Sequence, residues 1–489
     1  MKLCVIGGAG ARSAFLTKSL VKSARDIRVD HIVLLDNDQQ KLKTYGEISR
    51  ELARRLDPEL TFEVTSDARA ALTGVDYIIT TIRAGGDAGR LFDERTCLAH
   101  GVLGQETTGA GGFAMAIRSV PTLVYYCTLA REVANLEKMG VDEIQQPLPT
   151  AVVALIHGKK GPGKCVALRA DIDALPVHEE TGLPFASETE GIMHACGHDL
   201  HTTMLLGAAK TLCRLRDSFA GTVKLIFEPS EDLMPGGARK LVAAGVMENP
   251  HVDAIFGQHV CPSENDTVGR MQLYKGYFTS AVDLFHIAVH GKSGHGAAPH
   301  TAHDAIACAG YLITVLQTVV SRRIDPMDSA VLTVGTVSGG DAVNITAGEA
   351  RMVAVLRSFS DTARDTAIEE VNRICKGIGI AFNCDIEVQL EEGYALQYND
   401  GAMIDLVDRA VTKELGADKV IHLDRPFTGS EDFSFFGKLT NTPSAFMMID
   451  AGRGEELVSL HNGKIVFNED VMKSGAAGLT AIALEYLSK

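Results

Sequence analysis

Short apolar segments that alternate with helical patterns most limit what this chain can fold into. Strand-like runs lie at residues 2–6, 31–35, 61–64 and 75–82, and helical patterns separate them. Such alternation is typical of a parallel sheet with helices on its faces. The first part of the chain is therefore predicted to be an α/β domain.

The alternation is interrupted once and then restarts, which indicates more than one domain. A helical pattern at 119–139 precedes a polar, proline-containing break at 142–150. Further strands are predicted at 151–156, 165–169, 223–227 and 254–256, with a helix at 201–215. Because 489 residues exceed one ordinary core, two or three domains are expected.

Residues 275–390 show a third pattern. An alternating strand at 281–289 is followed by a helix, two strands, a second helix and a last strand at 385–390. The order β-α-β-β-α-β is typical of the split-βαβ sandwich. This segment is predicted to be a small inserted α+β domain.

Charge and cysteine usage exclude several classes of protein. The net charge of −15 argues against a surface for nucleic acid or for an anionic membrane. The ten cysteines lack a disulfide-like spacing, the apolar run at the first residues is too short for a signal peptide, and no run of about 18 apolar residues marks a membrane span. We expect a cytoplasmic protein.

One nine-residue run, 193–201, concentrates side chains that bind metals. Cys196 and His198 lie two residues apart before a helical pattern, so one tight turn can present two ligands. Glu231, Asp232 and His259 follow two of the predicted strands, and His461 lies near the end of the chain. Nitrogen, sulfur and oxygen donors of this kind suit zinc or a neighbouring transition metal. Metal-assisted hydrolysis is the chemistry that they indicate.

From about residue 150 to the end, the chain resembles the aminoacylase and hippurate hydrolase branch of the dinuclear zinc peptidases. The motifs that carry the resemblance are LRADIDALP at 168–176, HACGHD at 194–199, FEPSED at 227–232, GQH at 257–259, SGHGAAPH at 293–300, SEDF at 430–433 and LHN at 460–462. The resemblance implies hydrolysis of the amide bond of small-molecule substrates, N-acyl amino acids or related conjugates. It also implies an α/β zinc-peptidase domain with an inserted ferredoxin-like lid, through which a homodimer forms. The corresponding boundaries are 146–272 with 392–489 for the catalytic domain and 273–391 for the lid.

The resemblance assigns roles to particular residues. The ligands of two divalent ions (zinc, manganese or cobalt) are Cys196, His198, Asp232, His259 and His461, and Asp232 stands where the family more often has Glu. Glu231 is the general base for a water that the metals activate. A structural histidine or a surface acid is the alternative for each of these positions, but the match of several separate motifs favours the metal site.

Other residues are assigned supporting roles. His295 is expected to donate to the developing oxyanion, and Asn344 and Arg357 to hold the substrate carboxylate. Arg357 as a surface strand residue is an equal alternative. Asp171 and Asp173 are expected to orient metal-binding histidines rather than to bind metal.

The first domain resembles a different family. Gly8 and Gly10 after the first strand, with Asp36 after the second, have the spacing of a Rossmann-like NAD site, although an ordinary strand-to-helix turn explains the glycines equally well. With the strings at 82–86 and 104–112, residues 1 to about 130 resemble the first half of NAD- and metal-dependent glycosidases acting on 6-phosphoglycosides. The later metal ligands of that family have no counterpart here. The chain is thus expected to be a fusion with a first domain at 1–145; an NAD- or metal-binding remnant without catalysis and an NAD-dependent 6-phosphoglycosidase are the alternatives.

Overall fold

The computed structural model describes residues 1–8, 13–25, 27–80 and 136–488. Gly10, the strings at 82–86 and 104–112 and most of the helical pattern at 119–139 lie outside the described residues. Contacts divide the chain into two compact units, Met1–Val152 and Val153–Lys489. Each unit is described by itself.

The first unit contains a four-stranded parallel sheet of order β3-β2-β1-β4. Its elements are β1 (Lys2–Ile6), α1 (Ser13–Ser23), β2 (His31–Leu35), α2 (Gln39–Lys41), a π-helical turn (Leu42–Gly46), α3 (Glu47–Leu56), β3 (Thr61–Thr65), α4 (Ala68–Leu72), β4 (Tyr77–Thr80) and β5 (Glu143–Gln145). The central strands β1 and β2 are buried over four consecutive residues each. Continuous burial is expected of parallel strands that are covered on both faces.

The second unit combines a large mixed sheet with a smaller antiparallel one. Its strands are β6 (Val152–His157), β7 (Cys165–Asp171), β8 (Thr222–Glu228), β9 (Ala254–Cys261), β10 (Met271–Leu273), β11 (Gly276–Thr279), β12 (Ala281–His290), β13 (Gly294–His295), β14 (Ala330–Gly339), β15 (Ile345–Thr346), β16 (Glu349–Ser358), β17 (Asp385–Glu392), β18 (Gln397–Asn399), β19 (Val420–His422) and β20 (Ser444–Asp450). Its helices are α5 (His198–Arg214), α6 (Ala238–Ala243), α7 (Ala305–Leu316), α8 (Thr318–Arg323), α9 (Asp361–Phe382), α10 (Gly401–Leu415), α11 (Ser434–Thr440) and α12 (Val471–Leu487).

Seven strands of this unit lie in the large sheet in the order β19-β10-β20-β9-β7-β8-β6. Strands β8, β7, β9 and β20 are mutually parallel neighbours, and α5 packs against both β7 and α12. Because parallel strands point the same way, their carboxyl ends share one edge, where Asp171 ends β7 and Glu228 ends β8. Ligands of open α/β sheets bind at such an edge.

The prediction that His259 follows a strand was wrong, because the residue lies inside β9. The strand extends to Cys261, since β9 pairs with β20 in parallel register over its whole second half, with His259 opposite Met448. The sequence pattern ended the strand early because Gly257, Gln258 and His259 interrupt the apolar run.

The small sheet has the order β14-β16-β12-β17 with antiparallel pairing throughout. Helices α7, α8 and α9 contact it, and Phe285, Leu312, Leu356 and Val371 lie in the shared core. The four strands of this sheet and the helices on it occur in the order predicted for residues 275–390, whereas the short strands β13 and β15 were not predicted.

By length and composition alone, one stretch of the described residues, Ala305–Arg323, is apolar enough to cross a membrane. This stretch contains α7 and α8, and a third of it (33%) is buried. The buried side, with Cys308, Leu312 and Leu316, packs into the core of the small sheet. Packing in this core therefore explains why the buried side of α7 and α8 is apolar.

Candidate metal centre

Gly197 allows Cys196 and His198 to stand on one tight turn. It precedes the first residue of α5 and has a left-handed backbone with φ of 87°. A Cβ at this position would lie 2.4 Å from Cγ2 of Val260. Since a side chain meets both a strained backbone and a clash, glycine is required between the two predicted ligands.

The thiol of Cys196 lies at the centre of the predicted ligands. Its Sγ is 3.3 Å from Nε2 of His259 and 3.3 Å from Nε2 of His461. His461 Nε2 is also 3.3 Å from Asp232 Oδ1. The donor atoms thus form two overlapping groups, Cys196 with His198 and His259 and Cys196 with Asp232 and His461. We call these five residues the donor cluster.

The remaining ring nitrogens of two histidines are engaged outside the cluster. His198 Nδ1 is 3.1 Å from the carbonyl oxygen of Asp173 and 3.3 Å from its Oδ1, and His259 Nδ1 donates to the carbonyl of Val260 at 2.6 Å. Such outer contacts fix ring orientation and leave the other nitrogen for a metal. Asp173 therefore lies where the sequence predicted an orienting carboxylate, beside His198.

The cluster passes a test of fit for cations. His198 Nε2 and Asp232 Oδ2 are buried and have no hydrogen-bond partner. Buried polar atoms without partners are costly unless a ligand satisfies them. An imidazole nitrogen, a thiol and a carboxylate oxygen around one point are the donors that zinc and its neighbours prefer.

Burial shifts the pKa of two of the donors, His259 and Cys196. It lowers the pKa of His259 well below its usual range, which keeps the ring in the neutral form that binds metals. Burial also raises the pKa of the Cys196 thiol to about 11. The thiolate that a metal requires is therefore favoured only when a cation replaces the proton.

Glu231 lies at the edge of the donor cluster. It follows Ser230, whose left-handed backbone (φ of 63°) turns the chain after β8, and its Oε2 is 4.0 Å from His198 Nε2. The Tyr394 hydroxyl donates to the Glu231 carbonyl. Burial, with the nearby carboxylates of Glu431 and Asp432, raises the pKa of Glu231 well above its usual range. A carboxylate with raised proton affinity is suited to general base and acid work.

The predicted substrate residues lie on or beside the small sheet. His295 in β13 pairs with Ile345 in β15, and the amide of Gly296 donates to the carbonyl of Asn344 at 2.8 Å, so His295 and Asn344 are neighbours. Arg357 in β16 donates from Nη1 to Thr428 O at 3.2 Å and to Ser430 Oγ at 2.9 Å. Within the described ranges, no hydrogen bond or ion pair joins His295, Asn344 or Arg357 to the donor cluster.

Sequence reasoning missed Arg169, the buried cation behind the cluster. Arg169 is 1% exposed and forms ion pairs of 2.6–3.0 Å with four carboxylates, those of Asp171, Glu228, Glu431 and Asp432. The available signal was an arginine within the apolar strand pattern CVALRAD, because a charged residue in a buried strand needs partners.

The first unit places the predicted NAD residues at the ends of its strands. Gly8 follows β1, and a Cβ there would lie 2.8 Å from the carbonyl oxygen of Val5, so packing alone accounts for this glycine. Asp36 follows β2, and its Oδ1 accepts from the amide of Asp38 at 3.0 Å. Gly10 lies outside the described residues.

Comparisons with known proteins agree with this geometry. The model of peptidase family M20/M25/M40 matches residues 167–485, which is more than half of the chain and includes the whole donor cluster. The chain belongs to this family. Residues 2–136 match family 4 glycosyl hydrolase, so the two parts of the chain resemble different families, as in a fusion.

Curated relatives and a solved structure support the same family. The hippurate hydrolase of Campylobacter jejuni is 36% identical over 74% of this chain and 91% of its own, and the N-acyl-L-amino acid amidohydrolase of Geobacillus stearothermophilus is 42% identical over 55% and 71%. The Bacillus subtilis YXEP protein, described as a dinuclear metal-binding peptidase of family M20, is similar with a TM-score of 0.64 and 31% identity over 75% of this chain and 93% of its own. Family membership and the donor cluster identify a metal-dependent hydrolase.

Proposed function

We propose that the second unit hydrolyses the amide bond of N-acyl amino acids with two divalent ions of zinc, manganese or cobalt. The observation that carries the proposal is the sharing of Cys196 Sγ between two donor groups beside the buried Glu231. The names of the Campylobacter and Geobacillus relatives support the substrate class. A non-catalytic remnant is not favoured, because the match spans 91% of the Campylobacter hydrolase.

In this proposal Cys196, His198, Asp232, His259 and His461 hold the ions. When bound, the ions polarise the amide carbonyl and lower the pKa of a water molecule. Asp232 reaches the cluster although its side chain is one methylene shorter than Glu, because its Oδ1 lies 3.3 Å from His461 Nε2.

Glu231 moves the proton. Its carboxylate takes a proton from the attacking water and then delivers it to the leaving amine nitrogen. The burial that raises its pKa makes the protonated form accessible after the attack. The residue is only 4% exposed, so bulk water has little access to the carboxylate.

His295, Asn344 and Arg357 are proposed to bind the substrate. The Nδ1 of His295 accepts from the amide of Ala297 at 3.0 Å, so the proton of the neutral ring resides on the exposed Nε2 and can be donated to the developing oxyanion. Arg357 uses Nη1 for Thr428 and Ser430, and among the described residues its Nη2 has no partner. The rest of the guanidinium is thereby available to the substrate carboxylate.

We propose a homodimer that forms through the small sheet, which serves as the lid. The edge strand β14 exposes Val331 and Val337, and α7, which contacts β14, exposes Ile306 and Tyr311. An unpaired edge with a neighbouring apolar helix face is suited to a second copy of the same surface. A dimer that forms with equal affinity after Val337→Lys would contradict this interface.

The first unit is proposed to be a Rossmann-like domain over residues 1–145, with NAD held near Gly8, Gly10 and Asp36. The parallel order β3-β2-β1-β4 and the left-handed Gly7 after β1 support it. Calorimetry that detects no binding of NAD would contradict the assignment of the first unit.

The other proposed boundaries are 146–272 with 392–489 for the catalytic domain and 273–391 for the lid. A cytoplasmic location is also proposed, because the eight described cysteines are free thiols, as is usual in a reducing compartment.

The proposed activity is tested by release of free amino acids from a panel of N-acetyl and N-benzoyl amino acids. Purified full-length protein is assayed with added manganese, cobalt or zinc, and again after exhaustive chelation. Chelator-sensitive release that metal restores is the expected result. Activity that survives chelation, or no release by protein that carries its full metal complement, would contradict the proposal.

A further inference from the structure

We propose that Arg169, Asp171 and His201 form a buried positioning chain, which sets the strand of His259 against the helix of His198 and holds the carboxylates behind Glu231. The inference deepens the proposed function and rests on it. None of the three residues belongs to the donor cluster.

His201 links α5 to β9 through both ring nitrogens. Its Nε2 accepts the backbone N–H of Val260 at 2.8 Å, so its proton resides on Nδ1 and is donated to Asp171. The ring is 1% exposed, and its centroid lies 4.6 Å from that of His259. Because both nitrogens are engaged within the protein, His201 acts as a clamp on β9 and leaves metal binding to its neighbours.

His201 acts on two proposed metal ligands through the elements that carry them. His201 stands one helical turn after His198 on α5, and the amide that it holds belongs to the residue after His259. Moving His259 away from His198 would therefore break a fully buried hydrogen bond. The distance between the two ligands is set by this contact as well as by the sheet.

Arg169 forms the other end of the positioning chain. Its Nη1 binds Asp171 Oδ2 at 2.8 Å, while the Asp171 Oδ1 receives the proton of His201. Its Nε binds Glu228 Oε2 at 2.6 Å. Arg169 therefore holds one oxygen of the Asp171 carboxylate, and His201 holds the other.

The same guanidinium extends the chain to the proposed base. Arg169 Nη2 lies 2.9 Å from Glu431 Oε1 and 3.0 Å from Asp432 Oδ1. Oxygens of Glu231, Glu431 and Asp432 all lie within 4.8 Å of one another in the buried interior. Three such carboxylates repel when ionised, so the cation behind them fixes two in place and leaves Glu231 facing the cluster.

Two amide variants of His201 separate its contacts. His201→Gln places an amide oxygen near the Nε2 position and keeps an acceptor for Val260, whereas His201→Asn places an amide nitrogen near Nδ1 and keeps only the donor for Asp171. His251→Asn, at an exposed histidine, is the matched control. The measurements are Co²⁺ titration of metal-free full-length protein, the visible spectrum of the Co²⁺ form, and unfolding of the metal-free form.

We expect His201→Asn to weaken Co²⁺ binding about 10–100-fold and to shift the Co²⁺ spectrum, with a much smaller change for His201→Gln. A merely structural role would lower the unfolding temperature of the metal-free protein and leave affinity and spectrum unchanged. That result, or equal losses in both variants, would overturn the positioning chain.

A third variant keeps the inference testable if the His201 pair does not fold. Asp171→Asn keeps an oxygen for His201 and loses the ion pair with Arg169, so the Co²⁺ spectrum should shift and kcat should fall with KM unchanged. An unchanged spectrum and kcat would overturn the chain. Wild-type protein that binds no Co²⁺ would instead overturn the proposed function, and this inference with it.

Discussion

The donor cluster and the proposed substrate residues differ in how firmly the fold holds them. Three of the five donors, Cys196, His198 and His259, are buried and have neighbours on several sides, although His461 is exposed. By contrast, His295 and Asn344 are exposed in or beside the short β13–β15 pair. Arg357 lies between these extremes, because the loop before Glu431 holds one of its nitrogens.

The difference corresponds to the two proposed tasks, metal binding and substrate binding. Metal affinity requires donors that are fixed before the ion arrives, and burial among hydrogen-bonded neighbours provides this. Substrate binding requires exposed groups, which a substrate can reach and from which it can displace water. Changes to the buried donors or to the turn that carries them should therefore alter metal content or stability, and changes to the exposed substrate residues should alter kinetics alone.

The largest effect is expected from Glu231→Gln. Loss of the proton carrier should lower kcat by about 10²–10⁴-fold. Metal content should be unchanged, and the unfolding temperature should not fall, because the raised pKa shows that burial disfavours the charged carboxylate. The exposed Glu414→Gln is the control, and normal turnover by the Glu231 variant would show that another group is the base.

His295→Ala should follow, with kcat lower by about 10²–10³-fold through loss of an oxyanion donor. Because the ring is exposed and lies outside the donor cluster, metal content and the unfolding temperature should equal those of the wild type. His286→Ala, at a half-exposed histidine of the small sheet, serves as the control. Loss of metal from the His295 variant would contradict the separation of metal-binding residues from substrate-binding residues.

Gly197→Ala tests the buried side through the backbone. The left-handed φ and the clash with Val260 should cost about 1–3 kcal/mol of unfolding free energy and weaken metal binding, since the turn must shift between Cys196 and His198. Denaturant unfolding and metal titration measure both effects. Gly191 also has a left-handed backbone, but a Cβ there would contact no other atom. Gly191→Ala therefore separates the backbone strain from the steric clash.

Arg357→Lys should have the smallest effect. It keeps the charge but loses the planar fork, so KM should rise about tenfold with little change in kcat. Steady-state kinetics with a substrate and with the matching amide, which lacks the carboxylate, provide the test. Equal KM changes for both substrates would show that Arg357 does not recognise the carboxylate.

Much of the fold and the site could be predicted from local sequence. The strand at 2–6 and the strands and helices of 281–392 follow from apolar periodicity, which depends on neighbours a few residues apart. The pairing of Cys196 with His198 on one turn followed from their spacing. The end of β9 could not be predicted, because the partner strand β20 lies almost 190 residues further along and extends the pairing through His259.

The sequence by itself determined the α/β class, the candidate donors and the membership in the family, because these depend on local periodicity and on motifs. Only the tertiary structure decided that Cys196 lies within reach of both His259 and His461, and that Arg169 reaches Asp432 across 263 residues of chain. The physical reason is that a buried charge or an unsatisfied donor selects its partner by distance in the folded protein, and spacing along the chain does not specify that distance.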